Sequence, residues 1–524
     1  MRIGSIVAVL MCLVLWGSPL AAQGLGDGEA GVDSGRRDFF MGLLKEGRRL
    51  SEQGYYYEAC VAFNGILERG EPVESYYQEA EYGMAVNLRN LGLVYSAYVY
   101  FARVIDSGET HPYYAKTLPW MLNIAREVPG FPGAVEYLSF YDPSFFPPES
   151  RNELAYIVGY YNYTLDDHES ALAMLDLIGT DGGDIYAKAQ YIKGVIYARL
   201  NRAKESLEAF KNILRFERDQ GKSTPIMEEL HAKAVMAIAR IFYSTGDFDT
   251  ALRYYAEIEK YSANWLTALF EKAWAYFRLA NYERAMGNLH TLNSPYFKEQ
   301  YFPESRVLQA VILFSNCRYD DAILVVDQFV KEYDGLRKEL KSQLEQNQDP
   351  ADFYYWLASL AQKGKGFSKK LKRIFNLALA DRKLHRRFAF ILSLQREEGL
   401  LESMRKTAVQ KDLAERLLGE LVTYRELAIG EAGELARTRL DTKRKELQRL
   451  VSQAMKVKFE ALNAVKEMIE GKRDASRAAG KSHGFSMVKD DQHLAWPFEG
   501  EYWKDELDSY LFRVDNLCPD QQIK

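Results

Sequence analysis

Between residues 38 and 335 the chain repeats one spacing of small and bulky residues. A small residue is followed twelve positions later by a second small residue, and a bulky apolar residue stands four positions beyond that. The seven pairs are Gly47 and Ala59, Ala85 and Ala97, Gly159 and Ala171, Gly194 and Ser206, Ala239 and Ala251, Ala273 and Ala285, and Ala310 and Ala322. Small residues let two antiparallel helices approach closely, and the bulky residue one turn on fills the layer behind them. The spacing therefore predicts seven antiparallel helix pairs.

Turn-like residues separate the two members of most pairs, for example Gly54, Asn201 and Gly246. A single helix pair cannot bury its apolar face alone, so neighbouring pairs stack into a solenoid. The pattern thus predicts an all-α repeat array over residues 38–335.

The residue types in these pairs resemble the tetratricopeptide repeat (TPR). Gly194 with Tyr197, and Ala273 with Tyr276, carry its small-x₂-aromatic element, and Phe210 stands at the aromatic position of the second helix. The resemblance implies a right-handed TPR superhelix, followed in this chain by a long-helix C-terminal region.

The steps between successive pairs locate two irregular places in the array. Most steps are 34 to 38 residues, near the period of the family. A step of 74 residues follows Ala97, so a degenerate repeat is predicted inside it, at Leu122 and Ala134. A step of 45 residues follows Ser206 and predicts a helix extension or a loop near residues 217–225.

Beyond residue 335 the repeat spacing stops. Residues 336–352 are polar and predict a linker, whereas residues 353–474 predict a basic helical region, with 27 Lys and Arg against 16 Asp and Glu from residue 363 onward. One apolar stripe predicts a long helix of coiled-coil type: Leu447, Val451, Met455, Phe459, Leu462, Val465 and Ile469. The basic region is either a solvated face, or it docks on an anionic surface or on the acidic solenoid. Residues 475–524 predict a flexible segment and an aromatic tail.

The first 22 residues have the features of a secretory signal peptide. The apolar run from Ile6 to Trp16 is too short to span a bilayer, and Ala21 and Ala22 supply small residues for cleavage. Cleavage near Ala22 leaves residues 23–37 as a flexible leader. The sequence therefore predicts an exported protein, most simply in a bacterial periplasm.

The sequence offers little that could carry catalysis. No two of the seven histidines stand at i, i+4, so the zinc-protease arrangement is absent from the sequence. Gly480, Lys481 and Ser482 imitate the end of a phosphate loop, but Ala475 stands where its first glycine is needed. The net charge of −5 is too mild to indicate a nucleic-acid partner. We therefore expect no enzyme activity, no cofactor and no metal.

Two other functions compete with a binding role. A periplasmic cell-wall enzyme of the lytic-transglycosylase type can carry a helical superstructure before its catalytic domain. It needs a compact domain with a sheltered acidic residue, here after residue 350, and the basic, turn-poor pattern there does not favour one. An outer-membrane assembly accessory factor is the second alternative.

The TPR resemblance also implies a binding groove. In that family the first helix of each pair lines a groove that takes partner segments, at positions three before and one, four and five after the first small residue. In this sequence those positions include Tyr156, Tyr160, Tyr163, Tyr191, Arg199, Tyr243, Phe270, Trp274, Phe277, Arg278 and Phe314. Aromatic residues and arginine dominate binding hot spots, so the strip predicts a partner groove. Packing between helices is the alternative role for any one of these side chains.

The wider sequence resembles exported TPR proteins of the deltaproteobacterial envelope, some of which are linked to gliding motility. Three short motifs carry this resemblance, at residues 293–297, 316–319 and 496–503. It implies a non-catalytic scaffold that binds a segment of another cell-envelope protein; it implies no particular oligomeric state.

Three cysteines remain beyond the predicted signal peptide. Cys60 follows Ala59 on a second helix and is predicted to be a small buried residue. Cys317 lies in the turn of the last repeat, and Cys518 lies in the aromatic tail. A terminal repeat needs a cap. We therefore expect residues 496–518 to cap the last repeat and to bring Cys518 close to Cys317, either as two free thiols or as a disulfide.

Overall fold

The computed structural model describes residues 29–128, 131–221, 223–297, 300–363, 374–375, 380, 382–407, 410–470 and 499–518. Over this part of the chain the regular structure consists of α-helices and short 3₁₀ turns, with no strand. The all-α prediction is confirmed. The chain divides into two compact units, residues 1–91 and residues 92–524.

The first unit contains three described helices: α1 (Glu29–Glu52), α2 (Tyr56–Leu67) and α3 (Ser75–Asn90). A Cβ atom added at Gly47 would lie 2.6 Å from the ring of Phe63, and one added at Gly83 would lie 2.9 Å from the same ring. Phe63 therefore fills the layer between α1 and α3, as the spacing predicts. Cys60 is buried, also as predicted, and burial raises the pKa of its thiol.

The predicted leader, residues 23–37, is helical from Glu29 onward. The guanidinium of Arg36 donates to the carbonyl oxygen of Arg69 at 2.8 Å, and Phe40 stacks on Tyr76. These contacts with distant residues extend α1 toward the N-terminus. The local sequence carries no signal for them, so the leader prediction was wrong over this stretch.

The second unit contains the other repeats and the C-terminal helices. Its repeat helices are α4 (Val94–Asp106), α5 (Tyr114–Glu127), α6 (Pro132–Leu138), α7 (Arg151–Thr164), α8 (His168–Asp176), α9 (Asp184–Arg199), α10 (Ala203–Gln220), α11 (Pro225–Ser244), α12 (Phe248–Ala256), α13 (Trp265–Arg278), α14 (Tyr282–Leu292), α15 (Pro303–Ser315) and α16 (Tyr319–Gln346). Three more follow: α17 (Pro350–Lys363), α18 (Arg382–Thr407) and α19 (Asp412–Ile469). Short 3₁₀ turns lie at Pro143–Phe145, Pro148–Ser150, Thr180–Gly182 and Pro295–Phe297.

The small residues of each pair face each other across the helix pair. The Ser206 hydroxyl donates a 2.7 Å hydrogen bond to the carbonyl oxygen of Gly194, twelve residues earlier. A Cβ atom at Gly194 would lie 2.7 Å from the ring of Phe210, the bulky residue of that repeat. The corresponding alanines of the three later pairs are completely buried: Ala239, Ala251, Ala273, Ala285, Ala310 and Ala322.

One turn geometry recurs between the two helices of a pair. The seventh residue after the first small residue has a positive φ in every one of the last five pairs: Asp166 (61°), Asn201 (57°), Gly246 (85°), Ala280 (55°) and Cys317 (56°). In three of these turns the next residue, Asp167, Asp247 or Asn281, caps the second helix with its side chain. A left-handed residue ends one helix and the capping side chain starts the next, which fixes the connection.

Both irregular places in the array are as predicted. Leu122 and Ala134 are buried in the pair α5 and α6, which is the degenerate repeat. The long step arises because α10 continues to Gln220 and α11 begins at Pro225, so both helices are extended.

The predicted linker over residues 336–352 differs from the structure. Helix α16 continues through Gln346, and Leu336, Leu340 and Leu344 on it are buried. These leucines recur every four residues within a polar sequence. Their partner is a helix about a hundred residues later, so composition alone could not reveal the packing.

The long helix α19 has 58 residues, which makes it about 87 Å long at 1.5 Å per residue. It packs against α4, α15, α16, α17 and α18. Near its start Tyr424 stacks on Tyr95, and near its end Lys458 pairs with Asp327 of α16. The basic helical region therefore docks on the repeats of its own chain, one of the alternatives left open by the sequence.

Candidate partner-binding groove

The predicted groove residues lie on the first helices of five successive pairs, α7, α9, α11, α13 and α15. The nine aromatic side chains are all partly buried, whereas Arg199 and Arg278 are exposed. The structure divides this strip into two ends, which contact the C-terminal helices, and a middle, which contains an open cleft.

At the first end, the three tyrosines of α7 form a ladder. Tyr156 stacks on Tyr160, and Tyr160 lies beside Tyr163 with ring centroids 6.0 Å apart. Arg199 stacks over Tyr163 and pairs with Asp166 at 3.0 Å. Arg386 of α18 lies 5.5 Å from the centre of the Tyr160 ring. This end of the strip therefore contacts the chain's own C-terminal region.

At the other end, Phe314 packs into a small apolar cluster with Tyr319 and with Ala461 and Ala464 of α19. Phe314 is therefore an internal packing residue. The prediction placed it in a partner groove because the sequence cannot show that α19 returns to this repeat.

Tyr191 and Phe270 also take part in packing between helices. The ring of Tyr191 meets Phe210 edge-on at 5.6 Å, and the ring of Phe270 lies 6.0 Å from that of Phe302. Both rings remain partly exposed.

The middle of the strip holds a cleft of about 400 Å³. It is lined by Tyr243 and Trp274 together with Arg240, Tyr255 and Glu271. The Arg240 guanidinium donates to both carboxylate oxygens of Glu271, with its Nη2 2.6 Å from Oε1 and its Nε 2.9 Å from Oε2. The Tyr255 hydroxyl donates to Glu271 Oε2 at 2.9 Å. This network joins Arg240, Glu271 and Tyr255, and Tyr243 and Trp274 supply the other two side chains of the lining.

The groups around the cleft have defined charge states. Burial, together with the Glu271 carboxylate, raises the pKa of Tyr255, and burial raises the pKa of Tyr243, so both phenols stay neutral. The hydrogen bond to Glu271 raises the pKa of Arg240. Arg278 lies 5.1 Å from the centre of the Phe248 ring, next to Tyr243. The cleft thus presents aromatic faces, one neutralised ion pair and an exposed guanidinium at its edge.

Sequence reasoning missed three of the five lining residues. Arg240 directly follows Ala239, the first small residue of its pair. The position after that residue is a groove position, so the sequence could have indicated Arg240. Tyr255 is the bulky residue that follows Ala251 by four and was predicted only as packing. Glu271 stands at none of the groove positions. It lines the cleft because it accepts hydrogen bonds from Arg240 and Tyr255 of the preceding repeat.

The comparisons with known proteins bear on this same stretch. A family model described as a tetratricopeptide repeat matches residues 236–288, which include the cleft residues, the end of α11, all of α12 and α13, and the first part of α14. The chain contains tetratricopeptide repeats. The other pairs of the array repeat the spacing and the turn geometry of the matched ones.

Several solved structures are similar to this chain. The apo form of RapI is 12% identical, with a TM-score of 0.36, over 65% of this chain and 99% of that one. A TPR protein from Parabacteroides merdae is 14% identical, with a TM-score of 0.25, over 56% and 93%. The apo form of the quorum sensor NprR from B. thuringiensis is 14% identical, with a TM-score of 0.25, over 73% and 87%. No curated protein matches the chain.

The described part of the tail ends at the predicted cysteine pair. Cys317 and Cys518 form a disulfide in the structure, with Cα atoms 5.0 Å apart, within the usual range for such bonds. The backbone N–H of Leu517 donates to the Asn316 carbonyl oxygen at 3.0 Å. Leu517 and Cys518 are thus fixed at the turn of the last repeat.

The rest of the described tail lies along α14. The N–H of Phe512 donates to the carbonyl oxygen of Glu283 at 3.1 Å, and Asp508 pairs with Lys272 at 2.8 Å. Tyr502 stacks on His290 at 4.5 Å. The buried Gly287 admits the tail backbone, since any Cβ there would overlap the carbonyl oxygen of Tyr510.

The expected cap of the last repeat is therefore a different element. Helix α19 covers α15 and α16, because its buried apolar face packs against them. The tail covers the preceding pair, α13 and α14. Residues 496–498 of the predicted cap lie outside the described residues.

Two kinds of chemical site, a sheltered acidic residue and a metal-binding cluster, can be compared with the described residues. After residue 350 the one buried carboxyl among them is Glu397, and it accepts hydrogen bonds from the backbone N–H groups of Tyr95 and Ser96. It therefore serves as a helix cap for α4. In the same part of the chain no group of three or more His, Cys, Asp or Glu side chains could hold a metal ion, and no helix is long and apolar enough to cross a membrane.

Proposed function

We propose that this chain is an exported, non-catalytic TPR scaffold that binds a segment of another cell-envelope protein in the cleft between α11 and α13. The observation that carries the proposal is the cleft itself: Tyr243 and Trp274 line a space of about 400 Å³ together with the Arg240–Glu271 ion pair. The chain's own helices contact the two ends of the strip, at Tyr160 and Phe314, and the middle stays accessible.

The chemistry of the cleft specifies the kind of segment. Aromatic walls favour a bulky apolar or aromatic anchor, because such a side chain buries a large area at low entropic cost. The Arg278 guanidinium stacks on Phe248 at the edge of the cleft, and a carboxylate on the partner would find a donor there. A segment with an apolar anchor next to an acidic residue is therefore the expected ligand.

Two features support export. The sequence of residues 1–22 has the composition of a signal peptide. The disulfide between Cys317 and Cys518 is of a kind that persists in oxidising compartments and is rare in the cytosol.

Site-specific photo-crosslinking in the cell tests this function. A photoreactive amino acid at Tyr243 should capture an envelope protein, and the same group at the exposed Leu427 of α19 serves as the matched position away from the cleft. Replacing Trp274 by Ala in the Tyr243-labelled chain should abolish the specific adduct. Equal adducts from both positions, or adducts only with cytoplasmic proteins, would contradict the proposal.

A further inference from the structure

The C-terminal part of α19 carries two apolar stripes, and only one of them is buried. Leu447, Leu450, Ala454, Ala461 and Ala464 pack toward the repeats. The second stripe is exposed to solvent: Met455 is 46% exposed, Phe459 64%, Leu462 47% and Ile469 80%. Neighbouring exposed apolar residues of this size are uncommon on a monomer surface and mark an interaction site.

The exposed stripe has the spacing of a coiled-coil seam. Phe459 and Lys466 fall at a positions, and Met455, Leu462 and Ile469 fall at d positions. The flanking e positions are Lys456, Asn463 and Glu470. The seam is therefore built to pack against one further helix.

The charges at its ends are self-complementary in one orientation. Lys456 lies at one end of the seam and Glu470 at the other, and both are exposed. If a second copy of the seam runs antiparallel, each Lys456 faces a Glu470 of the other copy. Phe459 then packs on Ile469, and the methylene groups of Lys466 cover Leu462.

A parallel arrangement fits less well. It would place Lys466 against Lys466 in the seam, and a buried like-charge pair disfavours that register. Lys466 instead pairs with Glu470 on its own helix, with their charged atoms 3.6 Å apart, and the antiparallel orientation leaves room for this pair.

We propose that the exposed face of α19 from Met455 to Ile469 binds the same face of a second copy of this chain, antiparallel and about a two-fold axis. An isologous contact of this kind closes on itself and gives a dimer. The surface lies on helix α19 and is separate from the cleft at Trp274, so the dimer would present two clefts.

Sedimentation equilibrium of the chain from residue 23 onward, which keeps every described residue, should show a reversible dimer at micromolar concentrations. The double variant Phe459→Asp/Leu462→Asp should be monomeric, with at least roughly tenfold weaker association. Leu427→Asp is the matched control, because Leu427 is 55% exposed on the same helix outside the seam. Circular dichroism and a thermal melt establish that all three proteins are folded.

A charge exchange tests the orientation. Lys456→Glu alone should weaken the dimer, and Lys456→Glu combined with Glu470→Lys should restore it, as only the antiparallel pairing predicts. A monomer at all concentrations, an unchanged dimer in the Phe459→Asp/Leu462→Asp variant, or binding of the stripe to anionic lipid vesicles without self-association would each overturn the proposal.

Discussion

The carboxylate of Glu397 accepts hydrogen bonds from both the backbone N–H and the hydroxyl of Ser96, 301 positions earlier in the chain. Leu93, the N-cap residue of α4, offers no side-chain acceptor, so Glu397 of α18 supplies the cap from a distant part of the sequence. Burial raises the pKa of this carboxyl, while hydrogen bonds from the Ser96 hydroxyl and from the backbone N–H groups of Val94, Tyr95 and Ser96 act in the opposite direction. One side chain therefore both starts a repeat helix and fixes the C-terminal region on it.

The first prediction follows from this cap. Glu397→Ala should lower the free energy of unfolding by about 1–3 kcal/mol, because it leaves buried N–H groups without an acceptor. Ser96→Ala should cost less, and the double mutant should show coupling between the two positions. Chemical denaturation measures all three values. Glu402→Gln, at an exposed position of α18, is the control and should change little.

The second prediction concerns the small residues of the repeats. Ala251→Leu and Ala285→Leu should each destabilise the protein by about 1–3 kcal/mol, because overpacking a close helix crossing forces the helices apart. Both alanines are completely buried. Lys204→Leu, at an exposed site on α10, should melt like the wild type. Similar melting temperatures for all three variants would show that the helix crossings are not close.

The third prediction concerns affinity for the partner segment. Trp274→Ala should weaken its binding by about 2 kcal/mol or more, roughly thirtyfold, as truncation of a hot-spot residue does. Trp503→Ala removes another tryptophan that is 38% exposed, on the tail, and should leave affinity unchanged. Calorimetry with the captured partner segment compares the two. Unchanged affinity in Trp274→Ala together with a normal helical spectrum would exclude this cleft as the site.

The fourth prediction uses a glycine under the tail. Gly287→Ala should release residues 499–518 from α14, because the added Cβ overlaps the carbonyl oxygen of Tyr510. Gly399→Ala places its Cβ in open space on α18 and should stabilise by up to about 1 kcal/mol through helix propensity. Limited proteolysis of the tail separates the two outcomes. If Gly287→Ala behaves like Gly399→Ala, the tail does not lie on this helix.

The fifth prediction concerns pH. Burial lowers the pKa of His290 to about 4, with the nearby charge of Arg306 as the second cause. An unfolded histidine titrates near pH 6.5, so the docked tail favours the neutral ring. The stabilisation is complete above about pH 6.5 and decreases as the pH falls toward 4, because the released state binds the proton first.

Hydrogen exchange of residues 499–518 measures this effect. Protection should decrease between pH 6.5 and about 4, after correction for the intrinsic rate. His290→Phe keeps an aromatic ring next to Tyr502 and Tyr510 and should remove most of the pH dependence. An equal dependence in both proteins would assign the effect to another group.

The sequence could predict the repeats because their determinants are local. The twelve-residue spacing, as in Gly194 and Ser206, lies within one helix pair, and it recurs in each of the seven pairs. The cleft was only partly predictable. Trp274 stands at a groove position of its own repeat, but the pairing of Arg240 with Glu271 joins two repeats and has no local signature.

The C-terminal contacts were out of reach for the same reason. The apolar stripe that the sequence shows on α19 predicts a helix, but Met455, Phe459, Leu462 and Ile469 of that stripe are exposed. The face that packs on the repeats instead carries Leu450, Ala454, Ala461 and Ala464, and the sequence does not say which repeats it contacts. Phe314 was therefore assigned to the groove although Ala461 and Ala464 cover it. The proximity of Cys317 and Cys518 was expected from two arguments, namely that a chain predicted to be exported has few thiols to pair and that a terminal repeat needs a cap. The two cysteines are close in the structure, although α19 and not the tail covers the last repeat.

Helix α19 has a consequence for how the second unit comes apart. An ordinary repeat array unfolds from its ends, since a terminal repeat gives up only one interface. Here α4 begins this unit and α16 lies in its last repeat, and each of them also packs against α19. If either helix unfolds, α19 therefore loses part of its packing. We therefore expect the unit to unfold cooperatively, with similar free energies of opening from hydrogen exchange at α4 and α16. The cleft, which lies between these two helices in the chain, should then keep its width until the whole unit unfolds.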